Sequence, residues 1–113
     1  MYAQLMFFDG PRSQELIDAA DRAARERVEP AVMRHPDLWD DLVAMYELRQ
    51  PDGGQVSVVI VNSEGTLQAA QDVILGTALL PGEDPALLPG PDRVERYEVV
   101  RVADSATASA PAQ

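Results

Sequence analysis

One short segment, QVSVVIVNS over residues 55–63, limits what this chain can fold into more than any other. Its apolar side chains belong to Val56, Val58, Val59, Ile60 and Val61. Successive side chains of a strand point to opposite faces of its sheet, so this segment presents apolar groups on both faces. A strand of this kind is covered on both faces in a folded protein. The fold must therefore place a covering layer on each side of the sheet.

The rest of the sequence alternates between strand and helix patterns. We predict strands over residues 2–8, 42–50, 55–63 and 94–103, and amphipathic helices that start at Ser13 and extend over residues 64–80. Pro30 and Pro36 are expected to disturb or end the first helix, leaving a frayed turn and a loop over residues 31–41. The chain then forms one domain over residues 1–104. Residues 105–113 have no periodicity and are expected to be a disordered tail.

The second and third strands are predicted to form a hairpin, because the turn signal PDGG lies between them at residues 51–54. If the strands flank this turn directly, Tyr46 lies opposite Val59 and Glu47 lies opposite Val58.

The element order β-α-β-β-α-β predicts an α+β, ferredoxin-like fold. Two right-handed crossovers around a central hairpin give a four-stranded antiparallel sheet of order 4-1-3-2, with two helices on one face. The other face of the third strand is also apolar and needs a cover. An identical subunit is the economical solution, since two such sheets packed face to face form a homodimeric barrel.

The net charge of the chain limits the classes of partner that it can bind. The 113 residues include 19 acidic and 9 basic ones, which gives a formal net charge of −10. This balance argues against nucleic acid, which requires clustered cations, and against an anionic membrane surface. No apolar run approaches the ~20 residues that span a bilayer, and the first residues do not form a signal peptide. We therefore expect a cytoplasmic protein.

The residue types that the sequence lacks exclude several kinds of catalytic and metal site. The chain has no Cys and no Lys, and its one histidine is His35. Thiolate catalysis, a Schiff-base lysine and a histidine metal cage are thereby excluded, and we expect neither a metal nor a cofactor. The exclusive use of Arg as the basic residue suggests a GC-rich genome, and we expect a bacterial source.

Three stretches of sequence support a resemblance to a known superfamily. They are the opening strand YAQLMFF, the amphipathic helix from Ser13, and the hairpin LVAMYELRQPDGGQVSVVIVNSEG. Together they resemble the dimeric α/β-barrel proteins, most closely the antibiotic-biosynthesis-monooxygenase-like members. The resemblance implies a homodimer with a pocket between the sheet and the helices of each subunit. Proteins of this superfamily include cofactor-free oxygenases of aromatic polyketides, haem-degrading oxygenases, cyclases, isomerase-like enzymes and members of no known activity, so the resemblance leaves the reaction open. It assigns no catalytic residue to this chain.

Two residues are candidate catalytic bases. His35 can act as a general base near neutral pH, or it can be an exposed loop histidine beside a helix C-terminus. Glu47 lies in the middle of a strand, where burial would raise the pKa of its carboxyl and suit acid–base work. Alternatively, Glu47 forms an ion pair with Arg49 or Arg101 at the sheet edge.

Four further residues are candidates for substrate binding. Tyr46 and Tyr97 can donate hydrogen bonds to a substrate carbonyl, or can lie at a dimer interface. Asn62 is either a polar hook at the pocket end or a helix cap beside Ser63. Trp39 is either a pocket wall or a packing residue.

These observations leave two functions open. The first is a homodimeric monooxygenase or cyclase that holds a hydrophobic or aromatic small molecule in its pocket. The second is a non-catalytic dimeric module for small-molecule binding or protein interaction. An enzyme of the first kind requires an enclosed pocket of roughly 300 Å³ or more with convergent polar groups, whereas a module does not.

Overall fold

The structure is a computed structural model that describes residues 1–103. Its elements are β1 (Tyr2–Phe8), α1 (Gln14–Ala23), a π-helical turn (Ala24–Val28), α2 (Glu29–Met33), α3 (Pro36–Asp41), β2 (Leu42–Arg49), β3 (Gln55–Val61), α4 (Glu64–Leu75), a 3-10 turn (Pro85–Leu87) and β4 (Arg93–Glu98). The predicted tail over residues 105–113 lies outside the described residues. No helix within residues 1–103 is long and apolar enough to cross a membrane.

The four strands form one antiparallel sheet of order β2-β3-β1-β4. This is the predicted order 4-1-3-2, and it confirms the α+β class. β3 lies inside the sheet between β1 and β2, where its run of β-branched residues suits a strand that pairs on both sides. β2 and β4 are the two edge strands.

The register of the strands assigns every side chain to one of two faces. The helix face carries Gln4, Met6, Met45, Glu47, Ser57, Val59, Val61 and Arg96. On this face the Arg96 guanidinium donates to the side chains of Gln68 and Gln71 in α4, and Arg49 forms an ion pair with Asp21 in α1. The helices therefore cover this side, as predicted.

The opposite side, which we call the open face, has no covering layer within the described residues. It carries Ala3, Leu5, Phe7, Ala44, Tyr46, Leu48, Val56, Val58, Ile60, Arg93, Glu95 and Tyr97. Tyr46, Leu48 and Tyr97 are each 53% exposed. The apolar residues of β3 on this face are half-buried by their neighbours in the sheet alone.

The predicted hairpin register is wrong by one residue. Tyr46 pairs with Val58 and Glu47 pairs with Ser57, because the strands close at Gln50 and Gly54. The loop has three residues, and Gly53 adopts φ +91°, which is typical of a type I turn followed by a left-handed glycine. Since side chains alternate with a period of two, the shift moves Tyr46 to the open face and Glu47 to the helix face.

The predicted loop over residues 31–41 is also wrong, because the first helix continues past Pro30 to Met33. The π-helical turn Ala24–Val28 precedes this proline, and the Glu29 N–H donates to the carbonyl of Ala24, five residues back. A widened turn at this point relieves the clash and the missing hydrogen bond that proline brings to a helix. Pro36 then occupies the first position of the short helix α3, where proline is favoured.

α4 and β4 each end five residues earlier than predicted. α4 ends at Leu75 rather than at residue 80, since Gly76 follows and the Thr77 hydroxyl donates to the Ile74 carbonyl. β4 ends at Glu98 rather than at residue 103.

Candidate functional site

Two open clefts lie among the helices rather than under the sheet. The larger has a volume of about 380 Å³ and lies between the π-helical turn and α2 on one side and the end of α4 on the other. The smaller, of about 270 Å³, lies beside α3. Both clefts are lined by Arg34, His35 and Val73. The short segment between α2 and α3 therefore borders all of this space.

A buried ion pair lies beside the larger cleft, whose lining includes its cationic partner, Arg27. Arg27, from the π-helical turn, donates to Glu83 at 2.9 Å and to the Thr77 hydroxyl at 2.9 Å. The Leu80 backbone N–H donates to the same Glu83 oxygen at 2.7 Å, and chiefly this bond, with help from Arg27, lowers the pKa of the Glu83 carboxyl. The second Glu83 oxygen is buried without a partner among the described residues. This cluster fastens the chain after α4 to the first helix.

His35 lies exposed between α2 and α3. Its backbone N–H donates to Val32, and its carbonyl accepts from the N–H groups of Leu38 and Trp39. The main chain of His35 thus links the two helices, while its side chain borders both clefts. Trp39 is half-buried in α3.

Glu47 lies on the helix face of β2, exposed at the sheet edge. One of its oxygens accepts hydrogen bonds from the Ser57 hydroxyl and the Gln55 side-chain amide, both at 2.6 Å. Within residues 1–103 neither Arg49 nor Arg101 forms the ion pair considered for Glu47. Arg49 binds Asp21 instead, at 2.8 Å.

Tyr46 and Tyr97 both lie on the open face, on its two edge strands. The Tyr97 hydroxyl donates to Glu95 at 2.6 Å. This bond raises the pKa of the Tyr97 phenol and is the main cause of the lowered pKa of the Glu95 carboxyl, which Arg93 lowers further. Arg93 also stacks over the Phe7 ring at 3.9 Å. On the open face, β4 therefore carries the charged side chains Arg93 and Glu95 beside the apolar residues of β1 and β3.

The helix-capping role considered for Asn62 and Ser63 belongs largely to Asp41. The Asp41 carboxylate accepts from the Thr66 hydroxyl at 2.6 Å and from the Ser63 backbone N–H at 2.9 Å, and these bonds lower the pKa of its carboxyl. Asn62 is exposed, and its amide reaches the Asp41 carbonyl at 3.4 Å. Sequence reasoning missed Asp41 because it is distant in sequence from α4. The available signal was that Thr66, and not Glu or Gln, occupies the third position of α4, so that Ser63 has no capping-box partner there.

The candidate residues do not meet in one place. His35 borders the helical clefts and Glu47 lies on the helix face at the sheet edge, whereas Tyr46 and Tyr97 lie on the far side of the sheet. A catalytic centre requires its base and its orienting donors within hydrogen-bond reach of one substrate. Across residues 1–103, moreover, no three His, Asp or Glu side chains cluster closely enough to hold a metal ion.

Comparison with known proteins identifies the fold and no family. No family description matches the sequence, and no curated protein matches it either. Among solved structures, the chain is similar to a dimeric ferredoxin-like protein from an uncultured marine organism, with a TM-score of 0.65 and 14% identity over 92% of each chain. The chain thus has a ferredoxin-like fold, and the monooxygenase-like relationship stays a prediction.

Proposed function

We propose that this protein is a homodimeric binding module that holds a small hydrophobic molecule and performs no chemistry on it. The observation that carries the proposal is the arrangement of the two faces of the sheet. Within residues 1–103 nothing covers the apolar face, and the polar candidates are distributed over three separate regions.

The dimer rests on the open face. This face exposes a contiguous apolar surface of the kind that marks an interaction site. The residues at its centre are Leu5, Phe7, Val56, Val58 and Ile60. Two sheets packed face to face bury such surfaces mutually, and a standard interface of about 800 Å² per partner fits a face of four strands. The similar ferredoxin-like protein is itself dimeric, which supports the same arrangement here.

Small-molecule binding rests on the helical clefts. Their shared lining combines the aliphatic Val73 with the guanidinium of Arg34 and the imidazole of His35. In the smaller cleft Pro36, Leu38 and Ala69 extend the apolar wall, and such a wall with a few polar groups at its margin suits a ligand that has an apolar body and one hydrogen-bond acceptor. Binding of this kind does not require His35 and Glu47 to act together.

The assembly is tested by native mass spectrometry and by sedimentation across a concentration series. We expect a mass of twice 12.3 kDa for the wild type. Leu48→Glu places a charge on the open face and should yield monomer. Met45→Glu is the matched control, since Met45 lies on the same strand with 44% exposure but on the helix face. A wild-type monomer, or equal behaviour of the two variants, would overturn the proposed dimer.

Two measurements test the binding site. Native mass spectrometry detects any small molecule that remains non-covalently bound to the purified dimer, and titration with aromatic carboxylates measures the binding of added probes. Val73→Phe fills the space shared by the two clefts and should abolish retention. Leu75→Phe lies on the same helix with its side chain 74% exposed, and should leave retention unchanged. Retention that survives Val73→Phe would exclude these clefts. Turnover of a bound probe, lost on His35→Gln, would favour the monooxygenase or cyclase alternative.

A further inference from the structure

Arg34 is a cation without a charge partner at the junction of the two helical clefts. It lines both clefts, together with His35 and Val73. Within residues 1–103 the Arg34 guanidinium forms no ion pair with a carboxylate. A guanidinium carries five N–H donors in a planar fork that matches the two oxygens of a carboxylate. Its charge is therefore available to a molecule that enters either cleft.

The other charged side chains that line the larger cleft are already compensated. Arg27 is paired with Glu83 at 2.9 Å, and Glu26 is paired with Arg22 at 2.9 Å. Arg34 therefore gives this cleft one uncompensated positive charge. The formal net charge of the whole chain is −10, so most of its surface repels anions and this cleft attracts them.

The smaller cleft provides an apolar wall next to this charge. Pro36, Leu38 and Ala69 line it, and Val73 also lines the larger cleft. Its volume of about 270 Å³ exceeds the roughly 150 Å³ of an apolar cavity that holds one benzene ring. An apolar body of one or two rings therefore fits beside the cation.

The main chain that carries the two polar side chains of the junction is held by hydrogen bonds. The Arg34 N–H donates to the Pro30 carbonyl at 3.2 Å, and the His35 N–H donates to the Val32 carbonyl at 2.9 Å. Both side chains are exposed and leave the chain at consecutive positions. A ligand that they bind orders only the side chains and not the backbone, which lowers the entropic cost of binding.

We propose that this junction binds the carboxylate of an amphipathic organic acid, with Arg34 as its charge partner and His35 as a second donor. The apolar body of the acid occupies the smaller cleft along Pro36 and Leu38. The inference rests on the proposed function and specifies its ligand as a monoanion. One uncompensated cation matches one negative charge, whereas a phosphate monoester, with a charge close to −2, requires further cations.

A pair of probes tests the charge of the ligand. 2-Naphthoate and the neutral 2-naphthamide share one apolar body, and calorimetric titration of the full chain gives a Kd for each. We expect 2-naphthoate to bind at least about fivefold more tightly at low salt, and added salt should reduce the difference. Equal affinities would overturn the carboxylate site and leave the binding module standing. Binding of neither probe would also overturn the site, whereas the binding module falls only if the purified dimer retains no small molecule either.

Three variants test the location of the site. Arg34→Gln should abolish the preference for 2-naphthoate. Arg25→Gln is the matched control, since it removes an equal charge from an exposed arginine of the π-helical turn that lines neither cleft. Asp37→Asn removes a carboxylate from the lining of the smaller cleft and should strengthen the binding of 2-naphthoate. A preference that survives Arg34→Gln, or that Arg25→Gln reduces equally, would overturn the assignment, and circular dichroism checks that each variant is folded.

Discussion

The Asp41 carboxylate accepts a 2.6 Å hydrogen bond from the Thr66 hydroxyl, and so joins the end of α3 to the first turn of α4. The same carboxylate accepts the Ser63 N–H, one of the backbone donors that the start of a helix leaves without an intrahelical partner. A single acidic side chain thus substitutes for the cap that Ser63 does not provide. This contact ties the end of α3 to the segment that joins β3 to α4.

We expect Asp41→Asn to lower the free energy of unfolding at neutral pH, with Asp40→Asn as the exposed neighbouring control. Folding lowers the pKa of the Asp41 carboxyl below its ordinary value of 3.8. Its stabilising contribution is therefore complete above that value and is lost as the pH falls through the lower, folded-state pKa. Urea denaturation at pH 7 and at pH 2.5 should show a larger difference between wild type and variant at the higher pH. An equal difference at both values would contradict the assignment.

The Arg27–Glu83 pair predicts a larger effect. The Glu83 side chain is only 3% exposed and that of Arg27 14%, so removal of the guanidinium leaves a buried carboxylate without its charge partner. We expect Arg27→Ala to reduce the free energy of unfolding by about 3 kcal/mol. Arg25→Ala, an exposed position in the same π-helical turn, should change it by less than about 0.5 kcal/mol. Comparable losses in the two variants would mean that the turn, and not the ion pair, is responsible.

Tyr97 predicts a spectroscopic signature. The Glu95 hydrogen bond raises the pKa of the Tyr97 phenol above its ordinary value of 10.0, so its ionisation requires a more alkaline solution. Glu95→Gln should lower the pH at which the Tyr97 phenol ionises, and ultraviolet absorbance of tyrosinate across a pH titration measures this change. Glu98→Gln, on the opposite face of the same strand, should leave that pH unchanged. The interpretation fails if Glu95→Gln has no effect on the titration curve.

Substitution by alanine should change the free energy of unfolding in opposite directions at Gly53 and at Gly65. Gly53 has φ +91°, and a Cβ there would lie 2.6 Å from the Arg12 carbonyl oxygen. Gly53→Ala should therefore destabilise the fold by about 1–3 kcal/mol. Gly65 lies in the first turn of α4 with open space around it, and Gly65→Ala should stabilise by about 0.4–1 kcal/mol. Thermal unfolding of both variants decides the point, and a stable Gly53→Ala variant would be the contrary result.

The strand order followed from the sequence because hydrophobic alternation and turn signals are local features. The run through Val56 to Val61 and the PDGG turn indicate a central strand and a hairpin without knowledge of the tertiary structure. Helix continuation past Pro30 was not predictable in this way. It depends on a widened turn upstream, which no local residue pattern marks.

The candidate site was harder to predict than the fold. Residue type identified His35 and Glu47 as capable of acid–base work, but their separation depends on which element each one lies on. Glu47 was assigned the wrong neighbour, Val58 in place of Ser57, because the loop is closed by Gln50 and Gly54. The Arg27–Glu83 pair joins residues 56 positions apart, and only tertiary packing brings them together.

The three-residue loop after β2 thereby determines the chemistry of both surfaces of the sheet. A different loop that shifted this pairing by one residue would turn β2 over relative to β3, placing the Glu47 carboxylate on the apolar side and the Tyr46 ring on the helix side. The open face would then be too polar to associate with another subunit. The helix face would have to accommodate the Tyr46 phenol where it now holds the hydrogen-bonded Glu47 carboxylate. The pairing set at this hairpin therefore decides which surface of the sheet is apolar, and a chain that shifted it would need the polar and apolar positions of β2 exchanged.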